Sequence, residues 1–224
     1  MWKAVVVVVC LGVSTGTWAD TPKLSEVSTK ALQFFAQIED ANFDVYLKRV
    51  RLPQVTAAFK AQVLAQLAQE KTVKPSEKMQ ARLNALTPLL QYHERHAVLD
   101  IQIIEAPQAV VRTQGRVVLL LSETTLRLLS TEELQAIVAH ELGHEYFWGE
   151  LMQARERKNY ALLREIELRC DGIAVIALNR LGMDARTLLG AITKLTTFNA
   201  RVMTTDPLYH PLLSDRMDFI QAMR

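Results

Sequence analysis

The sequence predicts an α+β fold that is mainly helical, with one small mixed sheet in the middle of the chain. Two observations support this prediction. Apolar residues recur every three or four positions through most of the chain, which is the spacing of amphipathic helices. Residues 98–122 are instead rich in valine, isoleucine and leucine, with turn residues between the runs. At 224 residues, 50% of them hydrophobic, the chain is long enough to build one ordinary domain with a real core.

The first residues, 1–19, have the layout of a secretory signal peptide. Lys3 precedes an apolar run over residues 4–13, and small and polar residues then lead to Ala19, after which we expect cleavage. An uncleaved anchor is the alternative, but the run is shorter than the roughly 20 apolar residues that a spanning helix needs. We therefore expect an exported protein, periplasmic or secreted, with no stable membrane span after cleavage.

Cleavage after Ala19 would leave a single cysteine, Cys170, because Cys10 lies in the apolar run. A chain with one cysteine cannot form an internal disulfide, so packing or a metal must stabilise it in an oxidising compartment. The formal net charge of +2 is close to balance, and no run of like charges predicts binding to nucleic acid.

Residues 20–98 are predicted to form a helical N-terminal region. Apolar residues recur three and four positions apart in three segments of this region, TKALQFFAQIED, VTAAFKAQVLAQLAQE and SEKMQARLNALTPLLQYHERH. Ser76 is expected to cap the third helix, and Pro88 to kink or split it. His93 and His96 lie on a polar stretch of this helix, so we expect both to be exposed and neither to bind a metal.

The sheet between residues 98 and 122 is predicted to have about three strands. Helical spacing returns in STEELQAIVAHELGHEYF, where Ser130 precedes Glu133 by three residues, the sequence form of a capping box. A later helix, ALLREIELRCDGIAVIALNRL, is expected to end at Gly182.

The stretch HELGH places His140 and His144 well inside the predicted helix and one turn apart, so both imidazoles can reach one ion. Glu141 lies about 100° around the helix from His140 and can contact a water molecule bound to that ion. Histidines that hold zinc, with a glutamate that takes a proton from acidified water, are the parts of a hydrolytic zinc site. Gly143 weakens a helix by roughly 1 kcal/mol relative to alanine, which indicates a close approach to its backbone. Two buried histidines with ordinary hydrogen-bond partners are the alternative.

A catalytic zinc site needs a third protein ligand. A third histidine six residues after His144 is excluded, because Glu150 occupies that position. The later helix offers Glu165, which faces the same way as Arg169 and is expected to form a surface ion pair with it. It also offers Glu167, which lies on the apolar side of that helix and would be buried, where a carboxylate must be paired or bound to metal.

Three motifs, VAHELGH, the ExxxD within EIELRCD, and HPLLSDR, occur in this order. Together they resemble the zinc metalloendopeptidases of the CAAX prenyl protease and HtpX kind, over roughly residues 99–220. The resemblance implies a zincin-like metallopeptidase domain over residues 99–224, with Glu141 as the general base. It also implies one Zn²⁺ per chain, bound by His140, His144 and Glu167.

Further residues are expected around the zinc. Asp171, one turn after Glu167, is well placed to accept a hydrogen bond from the outer nitrogen of a ligating histidine. The resemblance puts His210 near the active site, as an oxyanion stabiliser or a gate, with Arg216 bracing it or Asp171; a plain loop histidine is the alternative. Cys170 stands where the family usually has alanine, and we expect a small buried residue, with a redox-sensitive or adventitious ligand role as the alternative.

The expected function is an exported zinc metalloendopeptidase of the family's soluble branch, acting on extended or misfolded proteins in envelope quality control. We expect an edge strand around Val117 to Leu121 to bind the substrate by strand addition. The alternatives are a zinc-stabilised chaperone-like or binding module with little turnover, and a helical envelope protein without metal. The sequence makes no prediction of the oligomeric state.

Overall fold

The structure is a computed structural model that describes residues 24–38, 42–51, 53–67, 70–202 and 210–223. The predicted signal peptide, residues 1–19, lies outside the described residues. Within the described ranges the chain forms eleven α-helices and three strands, so the predicted α+β class with a mainly helical chain is confirmed.

Five helices precede the sheet: α1 (Glu26–Ala36), α2 (Phe43–Val50), α3 (Ala57–Leu67), α4 (Glu77–Asn84) and α5 (Thr87–Tyr92). Ser76 caps α4 as predicted, since its hydroxyl accepts a hydrogen bond from the backbone N–H of Met79. Pro88 splits the predicted third helix into α4 and α5, and it lies in the first turn of α5, where a missing N–H costs little. The short helix α2 was not predicted, because only Phe43 and Leu47 on it are buried.

The sheet contains β1 (Asp100–Ile104), β2 (Val111–Gln114) and β3 (Val118–Ser122) in the order β1-β3-β2. It is mixed, as predicted, because β1 runs parallel to β3 and β2 runs antiparallel to it. The turn between β2 and β3 contains Gly115 and Arg116, both with positive φ, which matches the twist of a tight hairpin.

The prediction of an edge strand at Val117 to Leu121 is wrong, because β3 is the central strand. All of its residues are buried, and a continuous apolar run is typical of a strand covered on both faces. The outer edge of β1 is partly covered, since the backbone N–H of Val73 donates to the Ile103 carbonyl at 2.8 Å. The outer edge of β2 pairs with no other strand among the described residues and borders a cleft that also contains His140 and His144.

Six helices follow the sheet: α6 (Glu123–Leu128), α7 (Thr131–Gly143), α8 (Trp148–Glu156), α9 (Tyr160–Arg180), α10 (Arg186–Val202) and α11 (Leu213–Ala222). The predicted capping box is present, with Ser130 and Glu133 each bonding the other's backbone. Gly182 follows α9 with a φ of 68°, as its predicted end requires. No helix of the described residues is both long and apolar enough to cross a membrane.

The sheet separates two apolar layers. On one face, Leu119 and Leu121 belong to the main core, which contains the buried sides of α7 and α9. On the other face, Val118 and Leu120 pack with Val63 of α3. Helix α1 packs against α9 and α11, so the first described helix shares the main core with the helices of the predicted peptidase domain. The domain boundary between residues 98 and 99 stays a prediction.

Gly143 marks the close contact between α7 and α9. A Cβ atom at Gly143 would lie 3.0 Å from the Cα and 3.1 Å from the Cβ of Cys170. The predicted close approach to this glycine is therefore confirmed, and the approaching element is the backbone of α9.

His93 is buried, so the prediction that it is exposed is wrong, whereas His96 is exposed as predicted. Helix α5 ends at Tyr92, and Glu94 has a φ of 53°, so the chain turns at His93 instead of continuing the polar face of a helix. The Nδ1 atom of His93 lies 2.7 Å from the hydroxyl of Tyr146. Burial and the nearby guanidinium groups lower the pKa of His93 to about 3.

Replacing Gly143 by alanine should destabilise the fold by about 1–3 kcal/mol, because the added methyl group forces the two backbones apart. Gly149→Ala is the matched control, since a Cβ there meets open space on α8. It should be neutral or stabilise by up to about 1 kcal/mol. Urea unfolding of both variants measures the difference, and equal stability would contradict the contact.

The free energy of unfolding should fall as the pH drops below 6.5, because His93 takes up a proton in the unfolded chain but not in the folded one, where its pKa is about 3. His93→Gln removes this proton. Its stability deficit relative to the wild type should therefore shrink by about 2 kcal/mol between pH 6.5 and 5. His96→Gln should follow the wild type. Parallel stability curves for His93→Gln and the wild type would contradict the assignment.

Candidate metal centre

The facing sides of α7 and α9 bring two histidines opposite one carboxylate. The Nε2 atom of His140 lies 3.5 Å from one carboxylate oxygen of Glu167, and the Nε2 atom of His144 lies 3.6 Å from the other. The possible ligand atoms of His140, Glu141 and His144 all lie within 4.8 Å of one another. The structure thus brings together all four residues predicted to hold or use a zinc ion.

The prediction that His144 lies well inside a helix is wrong, because α7 ends at Gly143 and His144 is the C-cap residue. Its φ of −58° and ψ of −25° are still those of a right-handed helix. Its side chain therefore still lies one turn beyond His140 on the same face. Both histidines can reach one metal ion, as the spacing of HELGH predicts, although the helix has ended.

The outer nitrogen of His140 has a charged partner. Its Nδ1 atom lies 2.8 Å from Oδ1 of Asp171, which is fully buried. The guanidinium of Arg216 donates to both oxygens of that carboxylate, at 2.8 Å from Nε and 2.5 Å from Nη2. Of the two contacts predicted for Arg216, the structure shows the one with Asp171. Because Nδ1 is engaged by Asp171, Nε2 is the ring nitrogen of His140 that faces Glu167.

The outer nitrogen of His144 faces a thiol. The Sγ atom of Cys170 lies 3.3 Å from Nδ1 of His144, and the side chain is fully buried. Burial raises the pKa of Cys170 well above its usual value, so the sulfur is a protonated thiol. The predicted burial of Cys170 is confirmed. Its contact with His144 was not predicted, and the only signal in the sequence was the position of Cys170 beside Asp171.

The two histidines differ in basicity because their outer partners differ. Burial lowers the pKa of His140, but the attraction of Asp171 and its hydrogen bond outweigh burial and raise that pKa to about 9. Burial lowers the pKa of His144 to about 4, against a smaller opposing effect of Glu167. Burial also raises the pKa of Glu141 to about 7, with His140 opposing it. Glu141 can therefore both accept and release a proton near neutral pH.

Glu167 remains ionised at the centre of this group. Burial raises its pKa, but the attraction of His144 and the hydrogen bonds with His140 and His210 hold that pKa well below the usual value. His210 is exposed, and its Nδ1 atom lies 3.4 Å from a carboxylate oxygen of Glu167. The structure thus places His210 at the rim of the centre, while its proposed role stays a prediction.

The donor set fits zinc. Two imidazole nitrogens and one carboxylate converge, which is the ligand combination of a catalytic zinc site with one position left for water or substrate. The outer nitrogens of His140 and His144 are already engaged by Asp171 and Cys170, so the Nε2 atoms are the ones available to a metal. Such outer partners orient ligating histidines.

The centre opens into a cleft of about 670 Å³. The open edge of β2 forms one side, from Val111 to Gly115, and α3 and α8 form the flanking walls. The backbone N–H of Thr113 hydrogen-bonds with the Glu141 carboxylate and so lowers its pKa somewhat. The edge strand is therefore connected directly to the proposed base.

A second buried charge cluster, which the sequence did not reveal, begins one residue after His144. One carboxylate oxygen of Glu145 accepts hydrogen bonds from Arg95 at 2.7 Å and from Arg116 at 2.9 Å. Because Arg116 lies in the turn between β2 and β3, the cluster connects that turn to the end of α7. The only sequence signal was a second acidic residue, Glu145, four positions after Glu141 in HELGHEYF.

The predicted pair of Glu165 and Arg169 is present, but it is not on the surface. Both side chains are largely buried, with exposures of 14% and 13%. Arg169 also donates to Glu150 at 3.1 Å, and its guanidinium lies 4.4 Å from the ring centre of Phe34. The aromatic ring of α1 covers this pair, which the local spacing on α9 could not show.

Comparison with known proteins bears on the nature of this centre. Residues 74–147 match the model of Peptidase family M48. The predicted family resemblance is confirmed. The M48 match includes HELGH and the sheet, but it ends before Glu167, Asp171, His210 and Arg216. It begins within the predicted N-terminal helical region and so crosses the predicted boundary at residues 98 and 99.

The fold is also similar to that of a solved structure, Ste24p of S. mikatae. The TM-score is 0.51 at 17% sequence identity, and the similarity covers 87% of this chain. The chain spans only 62% of the Ste24p chain, and at this identity the likeness shows the fold alone. No protein of curated function matches the sequence. The predicted zincin-like fold is confirmed, and the M48 match supports the predicted metallopeptidase class.

Replacing Asp171 by asparagine should weaken zinc binding by about 10–100-fold, because the Nδ1 proton of His140 loses its charged acceptor. Competition with a chromophoric zinc chelator measures the change in the dissociation constant. Asp218→Asn on α11 is the control, since Asp218 forms no ion pair or hydrogen bond among the described residues. A dissociation constant within twofold of the wild type for Asp171→Asn would contradict the supporting role.

Proposed function

We propose that this chain is an exported zinc-dependent metalloendopeptidase that hydrolyses peptide bonds in extended or misfolded proteins of the cell envelope. One observation carries the proposal: the Nε2 atoms of His140 and His144 face the same Glu167 carboxylate, with Glu141 beside them. A purely structural pair of histidines does not need a neighbouring acid whose pKa is raised to about 7.

His140, His144 and Glu167 would hold the zinc. The bound metal would supply Lewis acidity, which makes water a better nucleophile at neutral pH and polarises a peptide carbonyl. The Glu141 carboxylate would accept the proton of the attacking water and pass it to the leaving amine. For these two steps Glu141 must be ionised first and protonated afterwards.

The open edge of β2 offers main-chain recognition of the substrate. The N–H of Ser122 donates to the Val110 carbonyl at 2.9 Å, which makes this pair a hydrogen-bonded pair of the antiparallel ladder. The alternation of such pairs directs the main-chain groups of Val111 and Thr113 away from β3 and toward the cleft. An extended peptide could therefore add to β2 as a further strand through both main-chain groups of Val111 and the carbonyl of Thr113, because the N–H of Thr113 is engaged by Glu141. This replaces the expectation for β3.

The exported location rests on the layout of residues 1–19. Protein isolated from cells that express the full chain should begin at Asp20, as determined by intact mass and N-terminal sequencing of the fraction outside the cytoplasm. Recovery of the chain with residues 1–19 intact in the cytoplasm would contradict the proposed location without bearing on the peptidase activity.

Replacing Glu141 by glutamine should lower peptide cleavage by about 10²–10⁴-fold while the zinc content stays near one per chain, because the amide cannot accept the proton. Cleavage of unfolded casein and elemental analysis measure the two effects side by side. Glu132→Gln changes an exposed glutamate on the same helix and should match the wild type. Equal activity of Glu141→Gln and the wild type would rule out the assigned base. Stoichiometric zinc without cleavage by the wild type would instead favour the chaperone-like alternative.

A further inference from the structure

The cleft carries two arginines that the metal centre does not use. Its acidic lining residues in the described part of the chain are Glu141 and Glu167, both at the centre. Arg216 is held by Asp171, which leaves Arg112 and Arg155 as the other arginines of the lining. Both are exposed, and neither forms an ion pair or hydrogen bond among the described residues. The cleft wall beyond the centre is therefore positively charged.

Arg155 is held beside the reaction centre by α8. Trp148, Met152 and Arg155 follow one another at spacings of four and three on this helix, and all three line the cleft. Arg155 lines the same cleft as His144 and Glu167, so its guanidinium and the metal centre border one space. A peptide side chain next to the scissile bond would meet this guanidinium together with the exposed side chain of Met152.

Arg112 faces a different side of the bound peptide. In the β2–β3 ladder it is paired with Leu120, whose side chain belongs to the layer that packs against α3. Thr113 next to it faces the other side of the sheet, because successive side chains of a strand alternate. Side chains of an extended peptide alternate in the same way, so Arg112 and Arg155 would meet different residues of the peptide.

We propose that the cleft selects extended peptide segments with an acidic side chain beside the scissile bond, bound by Arg155. Arg112 favours a second acidic side chain on the opposite side of the bound strand. The chemical basis is the match between a guanidinium and a carboxylate, together with the repulsion of lysine or arginine at the same position. This inference rests on the proposed peptidase function and names the substrate class of that same cleft.

The test uses three zinc-loaded proteins and one set of peptides. The peptides are identical except for one residue next to the cleaved bond, which is glutamate, glutamine or lysine. The proteins are the wild type, Arg155→Glu and the matched control Arg157→Glu. Arg157 is the exposed C-cap residue of the same helix and does not line the cleft, so it carries the same charge change outside the site.

The wild type should cleave the glutamate peptide with a kcat/KM at least about 5-fold above that for the lysine peptide, and added salt should reduce this ratio. Arg155→Glu should lower the ratio by at least about 5-fold, whereas Arg157→Glu should leave it near the wild-type value. Zinc content is measured for each variant, so that loss of the centre is not mistaken for loss of selectivity. Equal cleavage of both peptides by the wild type, or equal shifts in the two variants, would overturn the proposal.

A measurement of peptide binding tests charge selection independently of the proposed peptidase activity. Fluorescence anisotropy with labelled glutamate and lysine peptides is measured on zinc-loaded Glu141→Gln, with and without Arg155→Glu. Tighter binding of the glutamate peptide that disappears with Arg155→Glu supports charge selection, even where the wild type cleaves nothing and the peptidase proposal fails. Cleavage by the wild type combined with equal binding of both peptides would overturn charge selection alone.

Discussion

At Gly143 the end of α7 lies directly against the backbone of α9, and the distances of the metal centre depend on this contact. A Cβ at that position would approach the Cα of Cys170 to 3.0 Å, so a larger residue would separate the helices. With the helices this close, His140 and His144 both reach Glu167, and His144 also reaches the thiol of Cys170. The glycine serves packing between helices rather than a special backbone conformation.

Buried charges hold the centre in place from two sides. On one side Arg216 compensates the charge of Asp171, which accepts a hydrogen bond from His140 although it is fully buried. On the other side Glu145 binds two arginines immediately after His144. Buried ion pairs add little net stability compared with apolar packing, but breaking one leaves an uncompensated charge. Their effect here is to fix the positions of side chains, since each charge has its partners in only one arrangement.

The parts of the centre that are local in sequence could be predicted, and those that depend on tertiary contacts could not. Helix spacing placed His140 and His144 on one face with Glu141 about 100° away from His140, and the ExxxD spacing placed Glu167 and Asp171 on one face of the later helix. The fold class, the capping of α7 and the split at Pro88 also follow from local rules.

The errors have a common physical cause. The all-apolar run of β3 has the same local pattern at an edge or in the centre, and only the pairing with both neighbours shows that it is central. The polar stretch around His93 looked exposed because the turn after α5, with its positive φ at Glu94, was not foreseen. The thiol contact of Cys170 and the arginines that bind Glu145 join residues far apart in sequence, for which one sequence gives no periodic signal.

Different elements connect the two arginines of the cleft to the helix of the proposed base. Helix α8 begins four residues after His144, so the position of Arg155 follows directly from the end of α7. Arg112 depends on β2, which the Thr113 contact with Glu141 and the Arg116 contact with Glu145 connect to α7. The proposed selection by Arg155 therefore depends on a helix that directly follows the predicted metal ligand His144. Selection by Arg112 acts only once a peptide has added to the edge of β2, because that strand sets the alternation of its side chains.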